Sequence, residues 1–199
     1  MTRVADIQIG ALEPEQVLEA SRMLARAFVT NPLHVAAFGP SRLNKNEAFF
    51  RAGLAVMKGP KFVATDGSQP LGLVHWVHSS QCQFSGLEKL HMMPAMIGGF
   101  GLGSALKVGL WLSAWSRHDP DEPHVHLGPI GVAPEARGRG IGQRLMEHYC
   151  DAIDRSGDAG YLETDRPENV RFYQRFGFMT TSEIDVLGVP NFLMRRPYI

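Results

Sequence analysis

Between Arg137 and Gly142 the chain reads Arg-Gly-Arg-Gly-Ile-Gly, three glycines and two arginines in six positions, directly ahead of a run with helical spacing. A strand, a glycine-rich turn and a helix N-terminus together make an anion site. The first N–H groups of a helix have no internal partner, and its dipole places roughly half a positive charge there. Glycine at 138, 140 and 142 removes Cβ atoms that would hold a ligand off the backbone, while Arg137, Arg139 and Arg144 offer charge-assisted donors. Phosphate oxygens suit such a place. The GxxxxGK[ST] pattern of a Walker loop is absent, and Gln143 stands where a dinucleotide fingerprint needs its third Gly or Ala. From this stretch alone, a turn that only packs a helix on a sheet stays open.

The other chemistry-bearing residues are scattered. His124 and His126 share one strand face, but no carboxylate or thiol pattern near them in sequence completes a metal site, so no metal is expected. Cys82 and Cys150 lie far apart with no CxxC pairing, which suits a reducing compartment. No apolar signal-like run opens the chain, and the cytoplasm is the expected location. Lys plus Arg (20) equals Asp plus Glu (20), so the overall charge argues for neither a nucleic-acid partner nor an anionic membrane.

These residues need a scaffold, and 199 residues with 44% hydrophobic and 20% charged content fit one soluble domain, 1–199. Residues 4–12 alternate as a first strand. A helix opens at Glu13-Pro14, shows Val17, Leu18, Met23, Leu24 and Phe28 on an apolar face, and ends near Asn31-Pro32. A second helix spans about 44–58. Lys61–Thr65, the Asp66-Gly67 turn and the run from Pro70 read as a hairpin. Residues 125–132 form a strand made irregular by Pro129, because proline donates nothing to a ladder. The helix after Gly142 stacks Ile141, Leu145, Tyr149 and Ile153 on one face. A strand around 160–164, a short helix from Pro167 with Gly177 beyond it, and a final strand pair complete one mixed α/β sheet. Residues 92–115 are long enough to cross a bilayer and carry only Lys107, but Pro94 and Gly98-Gly99 break them; a buried or pocket-covering helical segment is expected instead.

Two segments in order, His126 to Met146 and Tyr161 to Phe178, resemble the GCN5-related N-acetyltransferase (GNAT) superfamily. Its acetyl-CoA motif runs V-x-P-x-x-[RQ]-G-x-G-[IL]-G and its next motif N-x-x-[FA]-Y-x-[RK]-x-GF. Within it, His124 to Leu127 and the 161–178 segment are most similar to puromycin N-acetyltransferase-like members. The resemblance implies a GNAT-type sheet, mostly antiparallel, with a splayed central strand pair flanked by helices. It further implies acetyl-CoA as acyl donor, with pantetheine on free backbone groups of Ile130 and Val132 and pyrophosphate on the N–H groups of Arg137, Gly138, Arg139, Gly140, Ile141 and Gly142.

By the same resemblance Tyr173 is the general acid, and Asn169 contacts the cofactor, holds the loop or caps the helix. His126 occupies the position of the base, with Glu163 the alternative; a neutral imidazole near its ordinary value of about 6.5 could take a proton. Residues 1–120 form the acceptor side, with Phe28, Asn31, Phe38, Trp76 and parts of 92–117 around the acceptor, and 121–199 the acetyl-CoA half. The implied activity is acetyl transfer to a primary amine of a small, partly apolar molecule in a direct ternary complex. A protein amine acceptor, a non-catalytic acyl-CoA sensor and a membrane-attached protein are the competing readings. The oligomeric state is left open, a homodimer included.

Overall fold

Seven strands make one sheet in this computed structural model, which describes residues 7–67, 69–82, 93–94 and 96–198. They are β1 (Gln8–Ala11), β2 (Lys61–Thr65), β3 (Pro70–His78), β4 (His124–Val132), β5 (Ala159–Thr164), β6 (Met179–Val186) and β7 (Val189–Arg196), in spatial order β1-β2-β3-β4-β5-β7-β6. Every neighbouring pair is antiparallel except β4 and β5, which are parallel. This is the mixed, mostly antiparallel sheet anticipated. The first strand's opening residues lie outside the described part.

The helices are α1 (Val17–Phe28), α2 (Pro32–Phe38), α3 (Leu43–Val56), the short α4 (Ser79–Cys82), α5 (Leu102–Ser116), α6 (Ile141–Ser156) and α7 (Pro167–Gln174). Helix α2 is an addition to the sequence reading, which ended the first helix at Asn31-Pro32 and restarted at 44. Its cause is local: Asn31 accepts from the N–H groups of Leu33 and His34, and Pro32 supplies the helical φ at the first position. Between Glu13 and α1 a turn of 3-10 helix, Pro14–Gln16, delays the helix start.

The sheet is buried on both faces where it matters. Ile141, Leu145, Tyr149 and Ile153 of α6 are each at most 1% exposed, as their spacing predicts. Burying side chains of this size stabilises the fold by about 1.5–3 kcal/mol each. Tyr149 also donates its hydroxyl to the Val125 carbonyl at 2.6 Å, tying α6 to β4. Helix α1 packs over Gly131 on the opposite face, where a Cβ would meet Leu24 and Phe28 at 2.7 and 2.9 Å. A second apolar cluster joins α2, α5 and the end of β6 through Leu33, Phe38, Trp111 and Val186. Among the described residues no helix is long and apolar enough to cross a membrane; α5 has 15 residues.

Candidate active site

The glycine-rich turn takes the shape its sequence calls for. After a 3-10 turn at Pro134–Ala136 the chain passes through Gly138 (φ +75°) and Gly140 (φ +74°), left-handed conformations that a Cβ strains. A Cβ built on either would meet nothing within 4 Å, so the space above the turn is open. Gly140 is the N-cap of α6 and has no side chain to cap it, which leaves the first-turn N–H groups for an outside acceptor. The cradle fits a diphosphate. Arginines assigned to it are also used by the fold: Arg137 donates to the Ala27 carbonyl at 3.1 Å and Arg144 to that of Ile7 at 2.7 Å.

The central strands part. β4 and β5 pair only over His124–His126 against Ala159–Tyr161, and the ladder stops there. Leu127 to Val132 therefore present an edge toward the gap, as the splayed pair requires for a pantetheine arm beside Ile130 and Val132. Pro129 contributes, since it has no N–H, and the β3–β4 register also slips between Val74 and Trp76. At Gly128 a Cβ would land 2.2 Å from His75 Nδ1, so only glycine lets the strand pass the buried imidazole.

Beyond the gap lies a cavity of about 190 Å³. Its apolar wall comes from Phe28, Phe49, Phe50, Trp111 and Trp115, and its polar end from Glu163, Asp165, Asn169 and Tyr173. Among the described residues no lysine or arginine lines it. Tyr173 is 6% exposed and packed against Phe172 and Phe178. Burial, with the Asp165 carboxylate second, pushes its phenol well above the usual tyrosine range, so it holds its proton. Asn169 donates to Thr164 Oγ1 at 3.2 Å, linking α7 to the end of β5. Asp165 accepts from Asn31 Nδ2 and the Leu33 N–H, both at 2.7 Å. Asn31 thus reaches the cavity as the cap of α2.

The two candidate bases touch. His126 Nε2 lies 2.8 Å from Glu163 Oε2. Burial disfavours a charged His126 ring, but the Glu163 carboxylate, joined by Asp119 and Cys82, outweighs it and raises the imidazole well above its ordinary value. This differs from the neutral, proton-accepting ring read from the sequence. Glu163 Oε1 is buried without a hydrogen-bond partner among the described residues, in a side chain that lines the cavity. His34 behaves oppositely: burial lowers it to about 4, with a 2.7 Å bond from Nδ1 to Asn46 Oδ1 opposing. It is a neutral ring inside an aromatic cage.

Other expectations need moving. Trp76 points away from the cavity, because alternation along β3 sends it to the α6 face, where it stacks on Phe62 at 5.1 Å and meets His148 and Tyr149. Phe38 is buried in the α2–α5 cluster and does not line the cavity. Of residues 92–117, Trp111, Leu112 and Trp115 do line it. Sequence reasoning missed His34, Phe49, Phe50 and Asp165. Only the β5–α7 junction carried a signal for one of them, since Asp165 directly follows the strand that bears Glu163. The fold also brings to His124 and His126 the thiol and carboxylate that sequence neighbours did not supply: Cys82 from α4 and Asp119 from the loop before β4. Burial works against a charged His124, yet Asp119 and Cys82 raise it to about 9.

Comparison with known proteins agrees with this geometry. Residues 62–178 match the Acetyltransferase (GNAT) family. A peptidyl-lysine N-acetyltransferase, YjaB of Salmonella typhimurium, is 32% identical over 98 residues, 45% of this chain and 64% of that protein, so the chain spans less than two thirds of this relative. A crystal structure described as histone acetyltransferase HPA2 and related acetyltransferase, from Corynebacterium glutamicum, superposes with a TM-score of 0.71 at 22% identity, covering 97% of each chain. Arylalkylamine N-acetyltransferase 2 of Aedes aegypti shares the fold with a TM-score of 0.64 at 14% identity, over 96% of this chain and 98% of that one. With its splayed strands, uncapped helix start and a family match over more than half its length, the chain belongs to the GNAT family of acetyltransferases.

Proposed function

We propose that the chain transfers acetyl from acetyl-CoA to the primary amine of a small, partly apolar molecule that carries no negative charge, by direct transfer in a ternary complex. This is the small-molecule side of the family, to which the resemblance to puromycin N-acetyltransferase also pointed. The carrying observation is the cavity itself: among the described residues it has aromatic walls, two carboxylates and no lysine or arginine. Carboxylates and ring faces attract an ammonium head, whereas a carboxylate on the acceptor would be repelled by Glu163 and Asp165. The aromatic floor takes the acceptor's apolar part.

The residues divide the proton work. A free alkylamine has a pKa near 10.4, so the incoming ammonium must shed a proton before it can attack. Glu163 Oε1 is the acceptor for it, and the 2.8 Å contact from His126 to Oε2 fixes the carboxylate's orientation. His126 is therefore read as a positioning residue, and Glu163 as the base. Acetyl-CoA supplies an activated thioester whose sulfur must leave as a thiol. Tyr173, still protonated and on the cavity wall, is the donor of the proton that sulfur needs. Residues 137–142 and the β4 edge hold the donor. Neither cysteine lines the cavity, which supports transfer without an acyl-enzyme.

Thiol release from acetyl-CoA, measured across aliphatic amines, arylalkylamines, the matching amino acids and a lysine peptide, tests this. Release with uncharged-tail amines well above the amino acids and the peptide is expected. Preference for the peptide would move the acceptor to protein lysines, and CoA binding without release on any amine would favour an acyl-CoA sensor.

A further inference from the structure

Behind Glu163, four metal-ligating side chains converge from three parts of the chain: Cys82 at the end of α4, Asp119 in the loop before β4, and His124 and His126 on β4. One donor atom from each lies within 4.8 Å of the others. Asp119 Oδ1 stands 3.3 Å from both His124 Nε2 and His126 Nδ1, and neither contact has the in-line geometry of a hydrogen bond, although both nitrogens are buried. Charge-assisted N–H···O bonds close to about 2.7–2.9 Å in line with the proton. A separation of 3.3 Å instead matches the edge of a tetrahedron of zinc ligands, roughly 3.3–3.4 Å for bonds of about 2.0–2.1 Å.

The far side of each ring gives an independent argument. His124 Nδ1 lies 2.8 Å from the Glu122 carbonyl oxygen, and His126 Nε2 lies 2.8 Å from Glu163 Oε2. Both partners only accept, so each of those nitrogens carries the hydrogen, and in a neutral ring the opposite nitrogen is a lone pair. Those are the two orphaned nitrogens: once each ring gives up its extra proton, they are the lone pairs left to face Asp119 and Cys82. Fixing the ligand tautomer through a carbonyl or carboxylate behind the ring is how protein metal sites orient histidine.

We infer that Cys82, Asp119, His124 and His126 form a binding site for one zinc ion, distinct from the acetyl-transfer site and joined to it through the His126–Glu163 contact. A thiolate, two imidazoles and a carboxylate in four-coordinate geometry are a zinc ligand set. On binding, the Cys82 thiol, which in the metal-free form contacts Asp119 Oδ2 at 3.0 Å, loses its proton to solvent and sulfur takes the metal. Both imidazoles bind neutral, releasing any extra proton they hold. Thiolate and carboxylate then cancel the two positive charges, which suits a half-buried place. The ion ties α4 and the 117–123 loop to the sheet and holds His126 rigid behind Glu163.

The inference does not rest on the choice of acceptor, and its readout is not activity. Protein purified without a histidine tag, or with the tag removed, is assayed for zinc by mass spectrometry, then stripped with a chelator and titrated with cobalt(II). The expected result is about one metal per chain, the intense visible bands of four-coordinate cobalt, and a thiolate-to-cobalt band in the near ultraviolet. Cys82→Ser should abolish that thiolate band, and Cys82→Ser and Asp119→Asn should each weaken cobalt binding tenfold or more. Cys82 is only half-buried at the end of a four-residue helix, so its variant keeps the fold. A pale six-coordinate spectrum, or a thiolate band that survives Cys82→Ser and so belongs to Cys150, overturns the inference.

Discussion

His34 gives a prediction whose size follows from the structure. The ring is 4% exposed, caged by Phe28, Phe38, Phe49, Phe50 and Trp111, and bonded, among the described residues, only to Asn46; no charged group contributes to its shift. Folded, it takes up a proton only at about pH 4, whereas unfolded it does so at its ordinary 6.5. Between those values the unfolded chain binds the extra proton, so its stability contribution is whole above pH 6.5 and drains away as pH falls toward 4. At about 1.4 kcal/mol per pH unit, that window removes about 3 kcal/mol of folding stability. Denaturant unfolding followed at several pH values reads the slope directly. His34→Gln keeps a donor for Asn46 but does not titrate, so subtracting its profile from that of the parent cancels every other group. The difference should rise by about 3 kcal/mol from pH 4 to 6.5 and be flat above. Parallel profiles would show that His34 ionises freely in the folded protein and that its cage is not sealed.

Three further outcomes are expected. Tyr173→Phe should lower kcat by about a hundredfold or more, as loss of a positioned proton donor does, with CoA affinity nearly unchanged by calorimetry; equal turnover would remove Tyr173 from the chemistry. Glu163→Gln keeps the shape and a contact to His126, yet should lower kcat by a similar factor while leaving CoA binding alone, and an unaffected rate would return the base to His126 or to water. Gly128→Ala should destabilise by about 3 kcal/mol, because the new Cβ meets a His75 ring already held at 2.6 Å by the Lys58 carbonyl. A thermal-melt midpoint within a degree of the parent would show that the ring moves aside freely.

The donor half was legible in the chain because its chemistry is written in backbone. Glycines at 138 and 140, an uncapped helix start and Pro129 in a strand each leave a local mark, and the structure shows the turn and the strand gap they imply. The acceptor half leaves none, since its wall is built from Phe28, Phe50 and Trp111, residues that read as ordinary core until distant helices bring them together. Trp76 illustrates the difficulty: β3 is buried on both faces, so alternation could not say which side held the cavity. Helix α2 was hidden because Asn31-Pro32, read as a stop, is equally a cap followed by a proline start. The ligand cluster was invisible for a further reason, since Cys82 and Asp119 stand 37 residues apart and approach His124 only in the folded sheet.

The account turns on the backbone cradle between residues 137 and 142, and Gly142→Val probes it, with the melting midpoint as the control for the fold. A Cβ there meets Val132 at 3.6 Å and Phe172 at 3.9 Å, ordinary contacts, so the helix accepts the first side-chain carbon and the two valine methyls must take up the space between β4 and α7 that the donor uses. Calorimetric titration with CoA should show one site per chain for the parent and at least tenfold weaker binding for Gly142→Val at an unchanged melting midpoint. Equal affinity in the two, or no CoA binding by the parent, would contradict it.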